Sequence, residues 1–532
     1  MTGRASYVAD MKLPGLCHGR ILRSPYPHAS IVRIDASKAA KIPGVVATLT
    51  RDDIVDHPAL DPYYGPVFKD QTIVAVEKVR HVGDPVAAVA ALTPEAAEEA
   101  LAAFEVEYEE LPPITDVHEA LKKGARLVHD YVRVPEAGFA DLAELRPVDG
   151  TNICTHFKLR RGDVDKGFAE SDHIFEDTFT LPAAQHAFLE PHACIAQIEP
   201  GQRLTVWATT QNPFVVRTQL ANIFKLPVAR VRVVVPYLGG GYGGKVYPKV
   251  EPLTVALAMK AGRPVRVVLS REEVFHTITK HGAVIRMKTG VKNDGTLVAR
   301  ECEVLLDTGA YAEIGPRVAK KSGYTASGPY RIPHLKIDSM SIYTNKPPAG
   351  AFRGFGVSQS AWAHESQMDI IAHALKIDPL KLRLKNGYEE NDIFVTGERL
   401  TSIGFKQCLT EVAKAIGWDE KPAPAEDKHV KRGKGIACLI KATITPSISS
   451  AVVKLNEDGS ASVYAGTIEM GQGSETTLAA IAGRELDVAL ERIQVLGVDT
   501  DVVPYDLTTS SSRSTFHMGK AVQLAAEDVK RQ

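Results

Sequence analysis

The sequence predicts an α+β protein built from successive mixed modules, and three observations predict it. Segments with strand periodicity and segments with helix periodicity alternate along most of the 532 residues. A β-branched run, Val231 to Val235, leads into Gly239-Gly240-Gly241-Tyr242-Gly243-Gly244-Lys245, where five glycines in seven positions leave the backbone almost bare of Cβ atoms. Two stretches rich in Pro, Gly, Ala and charge, a connector at 131–150 and a linker at 421–434, divide the chain into segments 1–130, 151–420 and 435–532.

In the first segment the apolar runs at 31–34, 45–49 and 88–91 predict strands. Residues 94–104 predict a helix, with Pro94 in the first turn, Glu95, Glu98 and Glu99 early, and Ala and Leu throughout. Residues 104–108 alternate as a half-buried strand. In the second segment, strands are predicted at 204–208, 231–235 and 265–269, and helices at 215–224, 250–261 and 361–375. The third segment predicts strands at 450–455 and 460–464 and a helix at 475–486, and residues 521–532 read as a helix cut short.

Composition narrows the function. Apolar and charged fractions are those of a globular protein, and the net charge of −1 steers the chain neither to nucleic acid nor to an anionic membrane. The six cysteines are scattered and form no Cys-x-x-Cys pair, which argues against an Fe–S cluster, a zinc site or a disulfide scaffold in this chain. No run of about 18 apolar residues predicts a membrane span. The first four residues lack the apolar core of a signal peptide, so a cytoplasmic setting is expected.

The chemistry is carried by four loops. Successive N–H groups in 239–245 form a concave, anion-seeking nest, although a plain tight turn has the same composition. The spacing to Lys245 also fits a P-loop, but Val246 stands where Ser or Thr would hold Mg²⁺. Thr209-Thr210-Gln211-Asn212-Pro213 ends a strand and opens a helix; its amides can pair with a heterocycle edge, or Asn212 can simply cap the helix. In Gly350-Ala351-Phe352-Arg353-Gly354-Phe355-Gly356, one guanidinium stands between two aromatic rings and can hold an oxo or phosphate group, or merely stack on Phe. Gly466-Thr467-Ile468-Glu469-Met470-Gly471-Gln472-Gly473 joins a strand to a helix, either as an anion-binding helix start or as an ordinary turn.

Together these motifs resemble one family. The wording and order of 239–245, Ala351-Phe352-Arg353-Gly354-Phe355-Gly356 and Glu469-Met470-Gly471-Gln472-Gly473 resemble the molybdopterin-binding large subunit of the xanthine dehydrogenase/aldehyde oxidase family. Gly19 to Pro25, Gly83-Asp84-Pro85-Val86, Glu190-Pro191-His192 and Ser511-Ser512-Arg513-Ser514-Thr515 support the match, which covers essentially the whole chain. The resemblance implies an α/β hammerhead domain over 1–130. A molybdopterin-binding domain in two parts, 151–420 and an incomplete 435–532, would follow.

It also implies roles. Molybdenum, held by the dithiolene of molybdopterin in its plain or cytosine dinucleotide form, would be gripped through the backbone amides of Tyr242, Arg353 and Ser511. Gln211, Gly240, Gly241, Gly243, Gly471, Gln472, Ser514 and Thr515 would hold the pterin or its phosphate tail. Phe355 matches the ring that stacks on substrate. The family reaction is hydroxylation of an aldehyde or an electron-poor heteroaromatic carbon, with water as oxygen source. Its electrons leave through Fe–S and FAD groups, here expected on partner subunits.

Two departures qualify the match. The catalytic Glu of the family lies beyond the equivalent of Gln532, so no general base is identified and the chain reads as a fragment or a split subunit. A Glu that purine-oxidising members carry after the loop Lys is Val246 here, while Lys321 falls near their substrate-binding Arg. Lys321 therefore suggests an anionic aromatic substrate, against the plainer reading of a surface lysine. No Cys flanks Arg353, which separates the chain from the copper-containing carbon monoxide dehydrogenases. A cofactor-holding scaffold subunit and a P-loop-like nucleotide binder remain the alternatives.

Overall fold

The computed structural model of the chain describes residues 3, 5–135, 144–421, 427, 429–441 and 447–532. Its largest sheet has eight strands, in the order Val498–Asp499, Val231–Val235, Arg203–Ala208, Ala193–Glu199, Val265–Val268, Cys17–Arg23, Pro85–Ala91 and Val45–Leu49. All three sequence segments contribute strands to it. The join lies at Cys17–Arg23, which runs parallel to Val265–Val268 on one side and antiparallel to Pro85–Ala91 on the other. The boundaries read from the sequence thus divide the chain but not this sheet. Helices Pro213–Ile223 and Glu251–Ala261 cover it, the second being buried along most of its length.

The rest of the first segment pairs Lys78–Val79, Ala29–Asp35 and Glu105–Glu110 in a three-stranded sheet, with helix Pro94–Ala102 against the larger one. Thr93 caps that helix through a bond from the Ala96 amide, as the Thr-Pro start favours. The third segment packs helices Ser474–Leu486 and Gly519–Arg531 on a three-stranded sheet of Ala451–Leu455, Ala461–Ala465 and Ile493–Val495. Of the expected connector and linker, residues 136–143, 422–426 and 428 lie outside the described residues.

A five-stranded sheet between these units was not legible in the sequence. Its order is His173–Leu181, Gly282–Val291, Leu297–Gly309, His334–Tyr343 and Ile153–Arg161. His173–Leu181 leaves alternate positions exposed and carries His, Glu, Asp and Thr, so its period-2 signal is weak. The parallel pair Leu297–Gly309 and His334–Tyr343 requires a crossover, supplied by helix Gly315–Thr325. That helix is disguised by Gly315, Pro316 and Gly323, poor helix formers in isolation. Gly323 is needed for packing: a Cβ there would lie 2.4 Å from the Phe157 ring.

The first segment is tied to the start of this crossover by Asp70. Its Oδ2 accepts bonds from the Ala312 amide (2.6 Å) and the Tyr343 hydroxyl (3.0 Å), while Oδ1 is buried with no partner among the described residues. Burial pushes the carboxyl up to about 7, against the two bonds that favour its charged form. A folded-state pKa raised above the unfolded value means that ionised Asp70 opposes folding. The penalty is absent below the ordinary carboxylate range and grows as pH rises towards 7. Asp70→Asn is therefore expected to raise the thermal unfolding midpoint at about pH 8 and to leave it unchanged near pH 4, and an equal effect at both would refute the assignment.

Candidate functional site

Five loops and one helix face line a cavity of about 1200 Å³. The glycine loop leaves strand Val231–Val235 and presents Gly240, Gly241, Tyr242 and Gly243 to it. Its glycines admit the protein's own groups. A Cβ at Gly241 would stand 2.4 Å from Gln211 Oε1, and one at Gly243, whose φ is +110°, would stand 2.5 Å from the Ala351 carbonyl oxygen. Tyr242 holds a left-handed φ of 52° and leaves its side chain half exposed.

Gln211 joins three of the walls. Its Nε2 donates to the Thr509 carbonyl (3.0 Å), and its Oε1 accepts from the Gly243 amide (3.0 Å). Its own N–H donates to the Lys245 carbonyl (2.7 Å). A side-chain amide has two donors and two lone pairs, so Gln211 keeps capacity for a ligand at the cavity wall. Asn212 occupies the N-cap position of Pro213–Ile223 but makes no side-chain cap bond, and its buried Oδ1 has no partner among the described residues. The capping alternative therefore fails, and an acceptor is left beside the cavity.

The remaining loops correct the expected donor set. The Arg353 amide donates to the Tyr242 carbonyl (2.8 Å), which pins the two loops together and engages the N–H assigned to the metal centre. Phe355, at φ 53°, lines the cavity one turn further on. At the start of helix Ser474–Leu486 the anion is the chain's own Glu469: Oε1 accepts from the amides of Gly471 (2.8 Å) and Gly473 (3.1 Å), and Oε2 from Glu475 (3.1 Å). Burial pushes this carboxyl up, but the Glu475, Gly473 and Gly471 amides outweigh it and hold it below the usual range. The Gln472 side chain folds back to accept from the Met470 amide and donate to the Ile468 carbonyl. Gly471 and Gln472 line the cavity, but these donors are already engaged.

The last loop brings Ser511, Ser514 and Thr515 to the wall. Ser511 and Ser512 are left-handed (φ 54° and 57°), and fully buried Arg513 beneath them bonds Asp506 and the Thr508 carbonyl, each at 2.7 Å. Ser514 and Thr515 open a helical run through Ser514–Met518 into Gly519–Arg531, and the first amides of a helix lack intrahelical acceptors.

Opposite stands helix Gly315–Thr325, with Arg317, Lys320, Lys321 and Tyr324 on the cavity at i, i+3, i+4 and i+7. Lys321 Nζ lies 5.6 Å from the centroid of the Phe355 ring, so the two residues expected to meet substrate are neighbours. Arg317 and Tyr324 were missed because their stripe is visible only once the helix is known. Lys245 is not on the wall: it is buried and paired with Glu190 Oε2 at 3.0 Å, so the nucleotide-binding alternative loses its phosphate-binding lysine.

Among the described residues no three His, Cys, Asp or Glu side chains meet in a metal-binding group. A cavity of this size, with side-chain amides, an orphan acceptor, helix-start amides and a cationic wall, fits a large heterocyclic cofactor bearing phosphate. These features define a cofactor-binding protein.

The comparisons are specific. The aldehyde oxidase and xanthine dehydrogenase a/b hammerhead domain matches residues 2–112, and the molybdopterin cofactor-binding domain matches 145–387 and, in a second family description, 411–532. The xanthine dehydrogenase molybdenum-binding subunit of Escherichia coli O157:H7 is 32% identical over 542 residues, 99% of this chain and 70% of its own. The nicotinate dehydrogenase large molybdopterin subunit of Eubacterium barkeri is 36% identical over 411 residues, 76% of this chain and 91% of its own. Quinoline 2-oxidoreductase from Pseudomonas putida 86 superimposes with a TM-score of 0.87 at 28% identity, over 99% of this chain and 68% of that one. The chain spans 58% of the length of some solved relatives and 70% of others. The chain belongs to the xanthine dehydrogenase/aldehyde oxidase family of oxidoreductases as a molybdopterin-binding large subunit, and its cofactor is molybdenum–molybdopterin.

The glycine contacts give a test of the cavity's construction. Gly243→Ala must move the Ala351 backbone as well as bear a left-handed φ, an expected loss of about 1–3 kcal/mol for overpacking plus about 1 kcal/mol for strain. Gly471→Ala meets nothing within 4 Å and bears only the strain, about 1 kcal/mol. Denaturant unfolding of both variants should give that order; equal losses would show that packing of the loop against Ala351 is unimportant.

Proposed function

We propose that this subunit serves a molybdenum hydroxylase whose substrate is a flat aromatic or N-heteroaromatic molecule carrying an anionic group. The observation that carries the reading is convergence: every residue assigned to cofactor or substrate, from Gln211 to Thr515, lines one cavity although the residues come from loops and a helix spread over three hundred positions. Bound there, the cofactor supplies the redox chemistry, hydroxylation with oxygen from water and two electrons passed onward.

The chain's own residues bind and orient. Gln211 and the Asn212 Oδ1 meet the donors and acceptors of a pterin edge, and Ser514 and Thr515 offer helix-start amides to phosphate. The Phe355 ring holds a planar substrate in a near-attack pose. On this side, Arg317, Lys320 and Lys321 favour a carboxylate, while buried Val246 offers a purine no acceptor. The name of the nicotinate dehydrogenase relative, whose substrate is an aromatic acid, agrees with that charge. Among the described residues Glu398 is the only carboxylate on the wall; it is solvent-exposed and we assign it no role as base.

The relatives are named as subunits, and partners carrying Fe–S and FAD groups are part of the proposal because this chain has no cluster motif. No helix among the described residues is long and apolar enough to cross a membrane. Six free thiols support a reducing, cytoplasmic setting.

Two measurements test the reading. The native complex, isolated with its partners and examined by inductively coupled plasma mass spectrometry, should carry molybdenum near one per chain, with iron in co-purifying subunits; no molybdenum in an intact complex would sink it. Aromatic acids should then exceed their neutral amides in kcat/KM by about tenfold or more, the scale of a hydrogen bond to a charged group. Lys321→Met should erase that preference while sparing the amides, and no preference for acids would remove the anionic class.

A further inference from the structure

Beneath the glycine loop lies the irregular segment 186–192, bent at left-handed Ala187 (φ 53°), four of whose side chains contact the loop or its neighbours. His186 Nε2 donates to the Ala351 carbonyl (2.7 Å), and the Phe188 ring lies 4.7 Å from Lys245 Nζ. Glu190 comes next, and His192 Nε2 donates to the Gly244 carbonyl (3.0 Å). Burial holds both imidazoles neutral, His186 being pushed down to about 4. The cation within this layer is Lys245, whose side chain is fully buried.

Glu190 makes the contact that distinguishes this layer. Its Oε2 accepts from the Gly239 amide at 2.7 Å and from Lys245 Nζ at 3.0 Å, so one carboxylate oxygen holds the first and last residues of the seven-residue loop. The Glu190 amide also donates to the Gly239 carbonyl (3.2 Å), and a Cβ at Gly239 would stand 2.5 Å from the Glu190 Cβ. Oε1 is buried with no partner among the described residues, so this carboxylate is directed to the loop ends rather than dispersed over neighbours. Neither Glu190 nor Lys245 lines the cavity.

We infer that Glu190 is a positioning residue for the molybdenum cofactor: by clamping Gly239 to Lys245 it sets how Tyr242 and Gly243 are presented to the cavity. A loop with five glycines has no intrinsic preference for one shape, and left-handed Tyr242 at its apex has to be held from outside. The clamp does this from below, where it does not obstruct the ligand. The inference rests on the assignment of 239–245 as a cofactor wall.

The test uses the native complex purified from cells that make molybdopterin and from cells that do not. Wild type should load molybdenum and unfold at a higher temperature when loaded; a wild type that takes up none would refute the wall assignment itself. Glu190→Gln keeps an acceptor for Gly239 but removes the charge partner of buried Lys245, whose amine is already held down to about 8 by burial. It should lower molybdenum per chain about tenfold, the scale on which supporting groups change metal affinity. The double variant E190Q/K245M removes both charges. Its unloaded form should unfold near the wild-type temperature, yet its molybdenum content should stay about tenfold low, because the loop ends are no longer tied. A purely structural pair would recover both together. Wild-type loading by either E190Q or the double variant would overturn the inference.

Discussion

The site depends on the side-chain amide of Gln211. Its two bonds, to Thr509 and from Gly243, join loops that lie about three hundred residues apart in the chain. An amide is suited to this because it donates and accepts on one rigid plane, and because it leaves capacity for a heterocycle at the same spot. The third segment also reaches the glycine loop through strand Val498–Asp499, which pairs with Val231–Val235 at the edge of the eight-stranded sheet. The cavity walls are therefore not separate domains pressed together. They are loops at the margins of shared sheets, which is how groups distant in sequence are held with hydrogen-bond precision.

Rigidity of this kind is visible as strain. Tyr242, Phe355, Ser511 and Ser512 all line the cavity with left-handed backbones, conformations that cost about 1 kcal/mol or more each for residues with a Cβ. Such strain persists only where surroundings over-determine it, and buried ion pairs supply the surroundings. Glu190 and Lys245 underlie the first loop, and Asp506 and Arg513 the last. Lys249 and Glu313 link the stretch after the glycine loop to the entry of helix Gly315–Thr325, Glu313 itself sitting at φ 44°. Buried pairs are poor sources of stability but good fixers of register, since either partner alone would be an uncompensated charge.

The charge of the cavity shows how little composition reveals. The chain as a whole is almost neutral, yet Arg317, Lys320, Lys321, Arg353 and Lys441 face a space whose one acid, among the described residues, is Glu398. Three of these five cations come from a single helix that buries Val318, Ala319, Ser322 and Gly323 on one side and carries Arg317, Lys320 and Lys321 on the cavity side. Charges of one sign gathered along a concave wall act on a ligand more strongly than the same charges scattered over a flat surface.

The sequence alone determined the family and the cofactor, because the glycine and amide motifs that carry the resemblance are local in wording. Its strand and helix readings around the glycine loop also match the structure, since Val231–Val235 and Glu251–Ala261 carry strong apolar patterns. What it did not contain is which donors are engaged. The motif that reads as an anion-binding helix start already has its anion in Glu469, and the Arg353 amide is directed to Tyr242. Nor did it show the five-stranded sheet or the cationic helix: Gly323, required by the Phe157 ring, hides a helix from local propensity. Motifs are written in neighbouring residues and survive reading in one dimension. Hydrogen-bond partners and the faces of helices are settled by contacts between residues far apart, so only the tertiary structure decided them.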